Sequence, residues 1–260
     1  AEGHLMPTVE PVPGAPAATL DLGGERALAL ADYHAGIEVG LRYERGVELQ
    51  SNAEDRRQRV LSLLDRTRAE RVVVLGDLFH RIAEPDGEEA EEVRRLLVAL
   101  ERRDVPLTLA RGNHDGGVAA VFPDRIDLLP PEGARLGDVG LVHGHTWPGE
   151  EALSASTLCM GHEHPQVRLT DDVGGSRVER AWLRGPLEKE PFAEHLGVEP
   201  SSMAWGAPEL VVFPAFNERS GGTWINVEGQ SFLAPFLPTG LASGEAYLLD
   251  GTRLGAYRGV

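Results

Sequence analysis

The chain has 260 residues, 42% hydrophobic and 25% charged, which suits a globular fold with a substantial core rather than a fibrous or disordered one. No apolar run approaches ~18 residues and no basic-then-apolar leader opens the chain, so neither a membrane span nor a signal peptide is expected. Acidic residues outnumber basic ones 41 to 25, giving a net charge of −16, and a surface of that sign disfavours non-specific nucleic-acid binding at low salt.

Lys189 is the only lysine, so Arg carries almost all the positive charge. Arg in place of Lys with surplus Asp and Glu suits a very salty cytoplasm, where a Debye length of ~3 Å near 1 M salt screens self-repulsion. A GC-rich genome would also favour Arg. The single cysteine, Cys159, cannot form an internal disulfide, fits a reducing cytoplasm, and is expected as a small buried packing residue.

Residues 1–5 read as a cloning remnant with Met6 as the native start, leaving 6–260 as one domain. Residues 7–16 hold four prolines and should be extended. A strand over 27–31 ends at Asp32-Tyr33-His34. Ser51 or Asn52 can cap a helix reaching about residue 70, with Val60, Leu61, Leu63 and Leu64 on its apolar side. The run Val72-Val73-Val74-Leu75 suits a fully buried parallel strand, and it stops at Gly76-Asp77.

A helix over 87–103 opens with Glu88, Glu89, Glu91 and Glu92 and closes with Arg102 and Arg103, an order that complements the helix dipole. Its Val93, Leu96, Leu97 and Leu100 form one apolar face. The strand 106–110 then delivers Gly112-Asn113-His114-Asp115. Beyond residue 135 short strands dominate: 139–142 ends at His143-Gly144-His145, and 157–160 ends at Gly161-His162-Glu163-His164. Strands 166–170 and 178–183 flank Gly174-Gly175, 210–213 follows, and 246–249 with 252–254 flanks the hairpin signal Asp250-Gly251. The β-α-β-α-β start and strand-rich second half predict an α/β fold, a four-layer αββα sandwich of two mixed sheets flanked by helices.

Five blocks therefore stand at strand ends: Asp32-x-His34, Gly76-Asp77-x-x-His80, Gly112-Asn113-His114-Asp115, His143-Gly144-His145 and Gly161-His162-x-His164. In an extended segment alternate residues point the same way, so each D-x-H or H-x-H pair is expected to aim both side chains at one point. Carboxylate, imidazole and amide donors without thiolate suit Mn²⁺, Fe or Zn²⁺ rather than Ca²⁺.

These blocks, over residues 26–165, resemble the five signatures of the calcineurin-like metallophosphoesterase superfamily. Gly76-Asp77-Leu78-Phe79-His80 is similar to the branch containing the double-strand-break-repair exonuclease. Trp182-Leu183-Arg184-Gly185-Pro186 and Val211-Val212-Phe213-Pro214-Ala215-Phe216-Asn217 resemble a compact archaeal relative of that nuclease, and phosphodiesterases found beside a DNA ligase. At 260 residues the chain is not expected to carry the nuclease's DNA-capping domain or its coiled-coil-binding tail, which counts against duplex-end resection.

The resemblance implies a phosphodiesterase acting on nucleic acid or nucleotide-derived diesters by in-line attack of a metal-bridging hydroxide. Two divalent metals are implied, Mn first, with Fe or Zn as alternatives. Asp32, His34 and His164 would hold one, Asn113, His143 and His162 the other, with Asp77 bridging. His114 would be the general acid, Asp115 would orient its imidazole, and His80 would position the scissile phosphate or leaving group. DNA-repair or RNA-processing partners follow the same resemblance, and the lone cysteine with no leader segment makes the cytoplasm the expected location.

A phosphomonoesterase with the same site is the competing enzyme, and a binding scaffold without chemistry is the competing class. Amidohydrolase and metallo-β-lactamase patterns open on H-x-H rather than Asp32-x-His34. His145 reads equally as a substrate contact or as packing, and Glu163 as pointing away from its flanking ligands. His4 and His195 read as solvent-exposed, and the arginines of 40–45 as a solvated helix face in preference to a contact for substrate phosphate.

Overall fold

The computed structural model describes residues 8–81 and 87–260; residues 1–7, with the expected cloning remnant, Met6 and His4, lie outside the described residues. Antiparallel β1 (Val9–Pro11) and β2 (Ala18–Asp21) lead into β3 (Arg26–Leu30), and β3, β4 (Arg71–Val74), β5 (Leu107–Ala110) and β6 (Asp127–Leu129) follow in parallel as one sheet. The second sheet contains β7 (Ala134–Leu136), β8 (Val139–Leu141), β9 (Thr157–Met160), β10 (Gln166–Thr170), β11 (Ser176–Pro186), β12 (Glu209–Val212), β13 (Glu245–Leu248) and β14 (Arg253–Ala256). It is mixed: β9 pairs in parallel with β8 and β12, while the hairpins β10–β11 and β13–β14 and the pairs β11–β12, β11–β13 and β7–β8 are antiparallel.

Period-two alternation in the strands decides the layering. Leu28 and Leu30 of β3 and Val72 and Val74 of β4 pack against helices α2 (Ala53–Thr67) and α3 (Gly87–Glu101), meeting Val60 and Leu64 from α2 and Val93 and Leu97 from α3, and α1 (Ile37–Arg45) lies against α3. Their neighbours Ala27, Ala29, Ala31, Val73 and Leu75 turn the other way, into a layer shared with Leu141, Cys159, Trp182, Val211 and Phe213. Leu158, Met160, Leu210 and Val212 form the outer face of the second sheet. Across them lie α5 (Glu150–Leu153) and α6 (Lys189–Leu196), while α4 (Val118–Val121) joins the first helical layer. The result is the expected αββα sandwich, with Cys159 buried between the sheets. A buried Val or Leu contributes about 1.5–3 kcal/mol relative to an exposed one, so the apolar run of β4 anchors the sheet that presents Asp77.

The helices differ from expectation at their ends and on one face. α2 stops at Thr67 because Arg68 takes a left-handed φ of 54°, its N–H closing on Leu64. In α3 the acids do more than complement the dipole: Glu89 and Glu92 are buried. The Arg56 guanidinium, itself fully buried, donates to Glu38 at 2.7 and 2.8 Å and to Glu92 at 2.8 and 3.1 Å. Glu92 also accepts the Gly36 N–H at 2.8 Å, which ties the segment after Asp32-Tyr33-His34 to α2 and α3.

Removing one partner of a buried ion pair leaves the others uncompensated and costs about 3–5 kcal/mol. Arg56→Met should therefore lower the urea-unfolding free energy by about that amount; a loss under ~1 kcal/mol would contradict the account of this cluster.

Candidate metal centre

The five blocks converge beyond the carboxyl ends of β3, β4, β5, β8 and β9, the usual place for ligands of open α/β sheets. Their local conformation is not extended. Asp32 (φ 56°), His34 (48°), Asp77 (52°), His162 (71°) and His164 (45°) all lie in the left-handed region, five of the nine non-glycine residues that do so among the described residues. This corrects the expectation that extended alternation aims the pairs. A left-handed non-glycine residue costs about 1–3 kcal/mol and persists only where its surroundings over-determine it.

Here the turns hold one another. Asp32 N–H donates to the Gly76 carbonyl at 3.1 Å, His34 N–H to the Asp77 carbonyl at 2.9 Å, and His162 N–H to Asp32 Oδ2 at 3.1 Å. Gly76 is needed for close approach as well as for its φ of 79°, since a Cβ there would lie 2.1 Å from His143 Nδ1.

Three trios place one donor atom from each member within 4.8 Å of the others: Asp32–His34–His164, His34–Asp77–His114 and Asp77–His143–His162. Asp77 Oδ2 is central, at 3.3 Å from His143 Nε2, 3.8 Å from His114 Nε2 and 3.9 Å from His34 Nε2. On one side, His164 Nε2 stands 3.2 Å from Asp32 Oδ1 and 3.3 Å from His34 Nε2. On the other, His162 Nδ1 stands 3.1 Å from His143 Nε2.

The remaining ring nitrogens explain why these imidazoles can serve as donors. His143 Nδ1–H donates to the Leu75 carbonyl at 2.8 Å and His164 Nδ1–H to the Gly221 carbonyl at 2.8 Å. In the neutral rings both Nε2 lone pairs then face the cluster, the arrangement that orients metal-binding histidines. Two carboxylates with imidazoles and no thiolate fit a Mn²⁺-, Fe- or Zn²⁺-type cation.

The electrostatics agree. Burial alone would raise Asp32 and Asp77, but the neighbouring imidazoles outweigh it, His164 at Asp32 and His143 at Asp77, and hold both carboxyls below the ordinary range. Burial pushes His34 down to about 3 and His162 down to about 4, so both stay neutral and keep their lone pairs. Burial also works against a charged His143, yet Asp77 outweighs it and raises this imidazole to about 9. Cation binding there must expel that proton.

Asn113 is exposed and lies beside His114, whose N–H donates to Asp77 Oδ1 at 3.1 Å. The His80 ring is 5.4 Å from that of His34 and 6.2 Å from that of His114. Asp115 requires a correction. Its buried carboxylate accepts the N–H groups of Asp77 (2.8 Å), Leu78 (2.9 Å), Phe79 (3.4 Å) and Gly112 (2.8 Å), so it clasps the backbone carrying Asp77. The imidazole of His114 is anchored elsewhere, its Nδ1–H donating to the carbonyl of His80.

His145 packs 5.4 Å from the His143 ring, and exposed His195 stacks on Trp147 at 4.3 Å. Arg42 and Arg45 are exposed on α1.

The segment 217–234 escapes sequence reasoning. Asn217 Nδ2 donates to the carbonyls of Tyr33 (2.9 Å) and His34 (3.3 Å), and Gly221 holds His164. Glu163 does point away from its flanking histidines, but it is fully buried and accepts from Thr223 Oγ1 (2.9 Å) and Ala234 N–H (2.6 Å). It staples this segment to the His162–His164 turn. An acid flanked by two candidate ligand histidines was the only local signal for it.

The family model for calcineurin-like phosphoesterases matches residues 26–221, and the chain belongs to that family. It is accordingly a metal-dependent phosphoesterase. Among solved structures it is similar to nuclease MPE of Pseudomonas putida, with TM-score 0.55 and 18% identity over 95% of this chain and 100% of that one. It is also similar to Yfce, a phosphoesterase from E. coli, with TM-score 0.41 and 15% identity over 88% of this chain and 97% of that one. No curated protein matches. Among the described residues no helix is long and apolar enough to cross a membrane.

Proposed function

We propose that the chain is a two-metal phosphodiesterase acting on nucleic acid or nucleotide-derived diesters, built as one domain and working in the cytoplasm. The observation that carries this reading is Asp77 Oδ2, which stands within 4 Å of imidazoles from both sides of the cluster, His143 at 3.3 Å and His34 at 3.9 Å. Asp32, His34 and His164 would hold one cation, Asn113, His143 and His162 the other, and Asp77 both. Mn²⁺ is the proposed cation. Such a pair supplies Lewis-acid stabilisation of the phosphoryl oxygens and a lowered pKa for water.

The chain's own groups do the rest. His114, with Nδ1–H committed to the His80 carbonyl, presents Nε2 toward Asp77 and would deliver a proton to the leaving oxygen. His80, on the same rim, would contact the phosphate or leaving group. The fold shared with nuclease MPE is compatible with a nucleic-acid substrate; the motifs 182–186 and 211–217 are the support for the nuclease-related, compact archaeal branch, and repair or RNA-processing proteins are the partners this implies. The acid-rich, lysine-poor composition supports a salt-rich working environment.

With Mn²⁺, in dilute buffer and in molar KCl, bis-p-nitrophenyl phosphate should be hydrolysed faster than p-nitrophenyl phosphate. Labelled single- and double-stranded DNA and RNA should rank the natural substrates. Faster turnover of the monoester would replace this reading with a phosphomonoesterase.

A further inference from the structure

One peptide group outside the metal cluster joins two side chains that the sequence separates. The carbonyl of His80 accepts from His114 Nδ1–H. The N–H of the same peptide, belonging to Arg81, donates to Glu89 Oε1 at 2.8 Å. A trans peptide points its C=O and N–H in opposite directions. Carboxylate, amide and imidazole thus form one line of hydrogen bonds, and the same Glu89 oxygen also accepts the His80 N–H at 2.8 Å.

A charged acceptor strengthens the bond to the amide, and polarisation along such a chain makes the far carbonyl a better acceptor. Glu89 is itself held firmly. It is 2% exposed on α3, whose Val93 and Leu97 lie in the core. Gly36 allows the approach: a Cβ there would lie 2.7 Å from Glu89 Cβ.

We propose that Glu89 is the positioning residue for His114, acting through the His80–Arg81 peptide. It keeps Nδ1 anchored and Nε2 turned toward the scissile phosphate. This fills the role that Asp115, occupied by four backbone N–H groups, does not perform. The proposal rests on the reading of His114 as proton donor.

A double-mutant cycle tests it with wild type, Glu89→Gln, His114→Ala and the double variant. Each is assayed on a dinucleotide, which has a poor alkoxide leaving group, and on bis-p-nitrophenyl phosphate. Metal content is followed by elemental analysis and folding by circular dichroism. Glu89→Gln keeps an acceptor for the two N–H groups and removes the charge.

Glu89→Gln should lower kcat for the dinucleotide about tenfold, leave KM and metal content unchanged, and barely affect the nitrophenyl ester. In the His114→Ala background it should cost nothing further. Losses that multiply in that background, an equal loss on both esters, or a full wild-type rate would each overturn the proposal. A His114→Ala variant without leaving-group-dependent loss would instead overturn the reading of His114 and the proposal with it. Should Glu89→Gln fail to fold, Glu89→Asp, which keeps the charge and withdraws it by one methylene, enters the same cycle under the same criteria.

Discussion

Asp77→Ala should abolish retention of both metals on dialysis and lower kcat by at least about 10³-fold. Asp77 Oδ2 faces His143, His114 and His34 at 3.3, 3.8 and 3.9 Å, so a truncation there removes the atom that the two sides of the cluster have in common. Metal stabilisation of a phosphoryl transition state amounts to several kcal/mol, and each 1.36 kcal/mol is tenfold in rate. The fold should survive, because Asp115 binds the backbone of Asp77 and not its side chain. Elemental analysis of the dialysed variant checks the claim; two metals per chain would contradict it.

His114→Ala should keep both metals and lose about 10²–10⁴-fold in kcat on a dinucleotide, the usual cost of removing a positioned general acid. p-Nitrophenolate leaves without a proton, so the loss on bis-p-nitrophenyl phosphate should be much smaller. The informative quantity is wild type over variant for the dinucleotide, divided by the same quotient for the nitrophenyl ester. A value near one would mean that His114 does not protonate the leaving group. His114 Nε2 also forms a trio with His34 and Asp77; a variant that lost a metal would make it a ligand instead.

The convergence of Asp32, His34, Asp77, His114, His143, His162 and His164 was legible in the sequence because it depends on residue types at strand ends, and strand ends can be read from buried β-branched runs such as Val72-Val73-Val74. The αββα layering followed from the same runs, since Val73 and Val74 on opposite faces of β4 demand cover on both sides. The conformation of the site was not legible. Composition gives no sign that Asp32, His34, Asp77, His162 and His164 adopt left-handed φ, because that choice is imposed by hydrogen bonds between turns far apart in the chain.

Supporting roles failed for the same reason. The resemblance suggested Asp115 for His114, yet three of the four bonds of Asp115 go to Asp77, Leu78 and Phe79, and the anchor of His114 comes from His80. Asn217 reaches Tyr33 across 184 residues, and Glu163 reaches Ala234 across 71. Glu89 and Glu92 read as ordinary acids near the start of a helix, because burial, which turns them into backbone acceptors, is a property of the packed molecule.

The most direct test of the central claim is a metal titration. Chelator-stripped protein is supplied with Mn²⁺ in steps, and bound Mn²⁺ per chain is measured alongside the rate on bis-p-nitrophenyl phosphate. The two-metal account predicts no activity in the stripped protein and a rate that reaches its plateau at two bound ions per chain. Full activity at one ion, or a rate that chelation leaves unchanged, would contradict it.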